Sequence, residues 1–184
     1  MKSFRIHILG ASGSGVTTLG SAIAGELAFP HHDADDYYWL PTVPPFTRKR
    51  APADRIRLMR EIFTRRADWV LSGSMISWGE EIHRLFDHVI FVTAPEEVRA
   101  ERVLDRERRH FGAEAVAPGG WRHADTQAFV KWVAGYERGD RPGRSLARHE
   151  AWLAGLSCPV LRVDGQKPVM ELVDQFLNFA GKPV

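Results

Sequence analysis

From Phe4 to Leu9 the chain alternates and is rich in branched apolar residues; Gly10 to Gly15 breaks the run, and helical spacing follows from Thr17 to Leu27. The pattern predicts strand, loop, helix. Pro30 to Asp36 reads as a short strand end. Leu40 to Pro52, with Pro41, Pro44, Pro45 and Pro52, reads as an irregular excursion, and Asp54 to Arg66 as a helix with Ile56, Leu58, Met59, Ile62 and Phe63 at its apolar positions. Trp69 to Leu71 and His88 to Val92 are short continuous apolar runs, the pattern of strands covered on both faces of a parallel sheet. Pro95 opens a helix running through Arg109, with Glu96 and Glu97 near its positive end. Phe111 to Arg144 is rich in Gly, His, Arg and aromatic residues, has a short helical pattern near Ala128 to Tyr136, and reads as a mobile insertion. Pro159 to Val163 is a last strand, Asp164-Gly165 a turn, and Pro168 to Phe179 a closing amphipathic helix. Strands alternating with helices predict an α/β fold with a doubly wound parallel sheet.

A chain of 184 residues, 44% hydrophobic and 26% charged, fits one globular domain and excludes a disordered or fibrous class. The formal charge is only +2, but arginine outnumbers lysine twenty to five. That bias suits bidentate phosphate contacts, although genomic base composition produces it as well. Near-neutral charge without a recognised binding motif argues against a nucleic-acid partner. A single cysteine, Cys158, cannot form an internal disulfide. With no signal-peptide core and no apolar run of membrane-spanning length, a cytoplasmic protein without a membrane partner is expected.

The chemistry begins at Gly10-Ala11-Ser12-Gly13-Ser14-Gly15-Val16-Thr17-Thr18. A glycine-rich turn between a first strand and a helix points successive backbone N–H groups at a phosphate, and the helix N-terminus adds partial positive charge. Thr17 falls where such a loop places a hydroxyl on nucleotide-bound Mg²⁺. Val16 stands where a lysine ordinarily reaches the β- and γ-phosphates, and it offers neither donor nor charge. Two outcomes follow: other arginines and Mg²⁺ supply the missing charge, or nucleotide binding persists without turnover. A regulatory GTPase is disfavoured, since guanine recognition there uses an Asn-Lys-x-Asp loop and the only asparagine is Asn178.

With this loop, the acidic segment His31-His32-Asp33-Ala34-Asp35-Asp36 and the arginines of the helix after Pro95, the chain resembles the adenylate kinase and shikimate kinase group of small P-loop kinases along nearly its whole length. The resemblance implies a P-loop NTPase fold with a five-stranded parallel sheet. It implies a single domain over 1–184, an acceptor-binding excursion within 38–66 and a lid within 110–145. Gly10, Ser12, Gly13, Ser14, Gly15, Val16, Thr17 and Thr18 would hold ATP, and Gly165 in the last-strand turn would meet the base. Asp33 matches the first carboxylate of an Asp-x-Asp segment and would share Mg²⁺ with Thr17, while Asp35 would orient the acceptor hydroxyl. Arg102 and Arg106, from the series Arg99, Arg102, Arg106 and Arg109 that shares one helix side, would contact phosphate. Arg148, four residues before Trp152, resembles the arginine of an Arg-x-x-x-Tyr element, and Arg141 and Arg144 edge the lid. Ser72-Gly73-Ser74 replaces an Asp-Gly or glycine-rich turn, which weakens a direct nucleoside monophosphate kinase reading. The implied function is Mg²⁺-assisted, ATP-dependent phosphotransfer to a nucleotide or a small hydroxylated metabolite; the alternative is a non-catalytic nucleotide-binding or regulatory protein. The adjacent His31 and His32 do not read as a transition-metal site, because neighbouring strand residues face opposite ways. The sequence leaves the oligomeric state open.

Overall fold

The computed structural model describes residues 3–140 and 143–181. Five strands, β1 (Phe4–Gly10), β2 (His31–Asp33), β3 (Asp68–Ser72), β4 (His88–Thr93) and β5 (Val160–Asp164), form one all-parallel sheet in the order β2-β3-β1-β4-β5. Side chains alternate across it. Phe4, Ile6, Ile8, Val70, Ile90 and Val92 face a core closed by α1 (Val16–Leu27) and α9 (Val169–Ala180) through Leu19, Ile23, Leu172, Val173 and Phe176. Leu9, Trp69, Leu71, Val89 and Phe91 face the opposite core. That second core is closed by α2 (Ala34–Tyr38), α3 (Pro52–Ile62), α4 (Glu80–His83) and α8 (Leu146–Ala154). Burial on both faces explains the continuous apolar runs Trp69–Leu71 of β3 and Val89–Val92 of β4.

The predicted strands and the helices at both ends of the chain are present. Three local readings change. The strand end predicted to reach Asp36 stops at Asp33, because the Asp33 carboxylate accepts a hydrogen bond from the Asp35 amide (3.0 Å) and caps α2. The helix predicted to Arg66 ends at Ile62, where Phe63 turns inward to stack on His32. The insertion carries two helices where one short pattern was predicted: α6 (Ala113–Val116) and α7 (His123–Ala134), both packed on α5 (Glu96–Phe111). Thr126 and Arg122 donate to the buried Glu107 carboxylate of α5. Among the described residues no helix is long and apolar enough to cross a membrane.

The excursion after α2 is ordered by backbone pairing. Leu40 donates to the Arg48 carbonyl (2.8 Å) and Arg50 to the Tyr38 carbonyl (2.7 Å), with Trp39 and Lys49 bridged antiparallel. At its tip Phe46 lies 6.0 Å from the His110 ring at the end of α5, so the excursion touches the base of the insertion.

Candidate active site

The C-terminal ends of the strands carry the site, as in other open parallel sheets. Residues 11–15 leave β1 and enter α1 through Gly15, a left-handed residue (φ 104°) that provides no side-chain cap. No acidic residue sits in the first turn of α1. Its leading amides are therefore open to an anion. Within the loop the Ser14 hydroxyl is buried without a partner, a donor whose burial cost an anion would offset.

Gly13 has φ 86°, and a Cβ there would lie 2.4 Å from the Arg99 carbonyl, so the loop sits against the start of α5 as only glycine permits. Gly165 packs on the loop from the other side: a Cβ would come within 2.1 Å of the Ser14 carbonyl. Arg102 ties these pieces together, donating to the carbonyls of Gly165 (3.0 Å), Gly13 (3.4 Å) and Ser14 (3.5 Å). It meets the loop on its carbonyl side, as a brace.

Thr17 is exposed at the first turn of α1, and its hydroxyl donates to Asp33 Oδ2 at 2.8 Å. Asp33 makes no ion pair among the described residues. A hydroxyl and a carboxylate in contact beside open amides suit a small, hard, oxygen-seeking cation such as Mg²⁺. No cluster of three or more His, Cys, Asp or Glu that could hold a metal ion exists among the described residues. Thr18, next along, is also exposed, while Ser12 is half-buried in the loop. Val16 packs against the α1-side core, so its side chain serves packing in the place of a phosphate contact.

Asp35 stands two residues beyond Asp33 on α2. Asp35 is exposed, but partial desolvation of its carboxyl by the protein packed around it, then the neighbouring Asp33, pushes its pKa above the usual carboxylate range, opposed by Arg144 and Arg106. A carboxylate with raised basicity suits proton acceptance from a hydroxyl. The two arginines come from opposite ends of the lid: Arg106 rests over Phe129 (5.9 Å) and Arg144 over Trp132 (5.3 Å), both rings on α7. Arg144 was read as a lid-edge residue only; its convergence with Arg106 on Asp35 had no signal in sequence spacing. Arg141, read alongside it, lies outside the described residues.

Arg148 is exposed on α8, where it donates to the Gly143 carbonyl. Trp152, its i+4 neighbour, instead turns into the core and donates from Nε1 to His83 Nδ1 (3.1 Å). The four-arginine face of α5 is not a single surface. Arg99 is fully buried, bidentate to Glu137 (2.5–2.6 Å) and bonded to the carbonyls of Ala94 and Val133. Arg109 folds back onto the Asp105 carbonyl. Thus Arg102 and Arg106 alone of the four approach the cleft.

His31 and His32 turn to opposite faces. His31 Nε2 is hydrogen-bonded to Ser72 Oγ (2.9 Å), and His32 stacks on Phe63 (4.0 Å) with its Nδ1 on the Tyr37 hydroxyl (2.9 Å). Burial lowers the pKa of both, His32 to about 4.

On the excursion side, Arg55 lies over the ring of Tyr38 (4.0 Å) and near that of Trp78 (5.3 Å), the two rings being 6.0 Å apart, with its Nε donating to the Arg50 carbonyl. Arg50 is committed to the carbonyls of Tyr37 and Trp39. Lys49 also lies over Tyr38 (5.8 Å), whereas Arg55 is near two rings, and only the tertiary fold supplies Trp78 as the second. Two surface grooves, one over α3 by Pro52, Ile56, Arg60 and Trp78, the other by Phe111, Gly112 and Trp121, lie away from Thr17.

Comparison with known proteins agrees with this architecture. No protein-family model matches the chain. It is 40% identical over 174 residues, 95% of this chain and 96% of the relative, to the uncharacterized protein YqaC of Bacillus subtilis (strain 168). A cytidylate kinase of Natronomonas pharaonis is 33% identical over 113 residues, 55% of this chain and 58% of that protein. Among solved structures, a shikimate kinase from Bacteroides thetaiotaomicron superposes with a TM-score of 0.58 at 14% identity, over 96% of this chain and 97% of its own. The chain therefore belongs to the YqaC family and has the fold of the small P-loop kinases.

Proposed function

We propose that the protein is an ATP-dependent phosphotransferase acting, with Mg²⁺, on a small anionic acceptor that carries a hydroxyl group. The observation that carries this reading is the Thr17–Asp33 contact at the mouth of an uncapped helix, with Asp35 two residues away within electrostatic reach of Arg106 and Arg144. Gly10 to Thr18 would hold the ATP phosphates and Gly165 would border the base. Thr17 and Asp33 would hold Mg²⁺, which when bound neutralises phosphate charge. Asp35 accepts the hydroxyl proton as phosphorus–oxygen bond formation proceeds. Arg106 and Arg144 stabilise charge on the moving phosphoryl group, the task Val16 does not perform, and Arg148 stands at the acceptor end.

Arg55 supports an anionic acceptor, since a guanidinium resting on the Tyr38 ring beside Trp78 retains planar donors for a carboxylate or phosphate. A hydroxylated acid and a nucleoside monophosphate both meet that description. A small-molecule acceptor rather than nucleic acid, and a reducing cytoplasmic setting for the unpaired Cys158, complete the reading. The competing reading, nucleotide binding without transfer, rests on Val16.

One experiment separates them. ATP consumption with Mg²⁺ is measured against a panel of hydroxylated acids, nucleoside monophosphates and no acceptor, with Asp33→Asn as control. Acceptor-dependent turnover that disappears in Asp33→Asn is expected. Nucleotide binding by calorimetry with no turnover across the panel would instead establish the non-catalytic reading.

A further inference from the structure

The turn that ends β3, Ser72-Gly73-Ser74, has no acidic residue to bind metal, yet both of its serines are tied to histidines. Ser72 Oγ is bonded to His31 Nε2 and donates to the Val16 carbonyl (3.3 Å), joining the turn to the nucleotide loop. Ser74 Oγ is bonded to His149 Nε2 at 2.8 Å, on the opposite core. His149 is fully buried on α8, and its Nδ1 lies 2.5 Å from the Tyr136 hydroxyl. Tyr136 is itself buried beside Arg99 (5.3 Å), and its carbonyl accepts from the Leu146 amide (2.9 Å), which starts α8.

This arrangement brings together three pieces distant in sequence: the turn after β3, the end of the lid and the helix bearing Arg148. The turn also borders the proposed reaction centre, because a Cβ on Gly73 would lie 2.8 Å from Ala34 Cβ and 3.6 Å from Asp33 Oδ1. A neutral imidazole donates from one nitrogen and accepts at the other, so one residue serves both hydroxyls and fixes the donor role of each. An apolar side chain of similar volume would remove both of these bonds at once.

We propose that His149 is a positioning residue for the acceptor: through Ser74 it fixes the Gly73–Ser74 turn relative to the α8 helix that carries Arg148, so that the acceptor is held between them. The inference rests on the phosphotransferase reading and adds to it a residue outside the nucleotide loop and the acidic segment. His149 contacts neither nucleotide nor acceptor; it acts through Ser74.

The test uses the full chain with Mg-ATP and the acceptor that gives turnover in the panel above, comparing His149→Leu, His149→Gln and Ser74→Ala with the unmodified protein. The expected result is a roughly tenfold rise in acceptor KM for His149→Leu and Ser74→Ala, with ATP KM within twofold and most of the loss restored by His149→Gln, whose amide keeps a donor near the Nε2 position. Folding is checked by circular dichroism. Ser74→Ala removes only a hydroxyl, so it decides the matter if His149→Leu does not fold. An unchanged acceptor KM in folded Ser74→Ala, or an equal rise in both KM values, overturns the inference while leaving the kinase reading standing. Absence of turnover in the unmodified protein with every acceptor overturns both.

Discussion

On the nucleotide side of the cleft, residues 10–18 are shaped by backbone: two left-handed glycines, an uncapped helix and close packing against Arg99 and Gly165. On the acceptor side, the chemistry is shaped by side chains that arrive from far apart, Asp35 from α2, Arg55 from α3, Trp78 from the β3–α4 connection, and Arg106 and Arg144 from both ends of the lid. A phosphate presents the same geometry to every protein, and a local loop suffices to meet it. An acceptor presents groups on several sides, and only converging elements can enclose it.

The largest expected effect tests the point at which the two sides meet. Asp33→Asn lowers turnover by about 10²-fold or more, because metal and proton-accepting geometry fail together, while metal-free nucleotide binding by calorimetry remains near the original value. Retained turnover would separate Asp33 from the chemistry. Next is the brace behind the acceptor side. Arg99→Leu removes the side-chain donor to the Glu137 carboxylate and to the Ala94 and Val133 carbonyls and destabilises the fold by about 3 kcal/mol in urea titration. A change below about 1 kcal/mol would show that the lid is not held through Arg99.

Acid sharpens the contrast in another way. Burial pushes the His7 pKa down to about 3 and that of His32 to about 4. Both folded values lie below the unfolded one near 6.5, so between those limits the unfolded chain binds the extra protons and stability falls as pH falls. His7 alone accounts for about 3 kcal/mol between pH 7 and pH 4, and the half-exposed His32 for less. The urea midpoint should decline across that window. His7→Phe, if it folds, should flatten the decline.

Gly165→Ala, which drives a methyl group toward the Ser14 carbonyl, should weaken Mg-ATP binding about tenfold by lifting the turn from the loop. The smallest effect belongs to Val16→Lys. It exchanges core packing for a charge and should tighten Mg-ATP several-fold if the loop holds phosphate in the expected geometry. Weaker affinity would show that the packing of Val16 matters more than the added cation.

What the sequence by itself determined was the alternation of strands and helices, the glycine loop, Thr17 beside an acidic segment and the odd valine at position 16. These are local facts: periodicity and turn chemistry act over a few residues and can be read in order along the chain. The tertiary structure alone decided that Arg99 is a buried brace while Arg106 rests over Phe129 within electrostatic reach of Asp35, though the two share a helix and a helical spacing. It also decided that Arg144 joins them, that Arg55 lies near two rings and that Ser74 meets His149 across 75 residues of chain. Identical guanidinium groups acquire different work from burial and from what the fold places opposite them, and neither quantity exists until the sheet has brought the helices together.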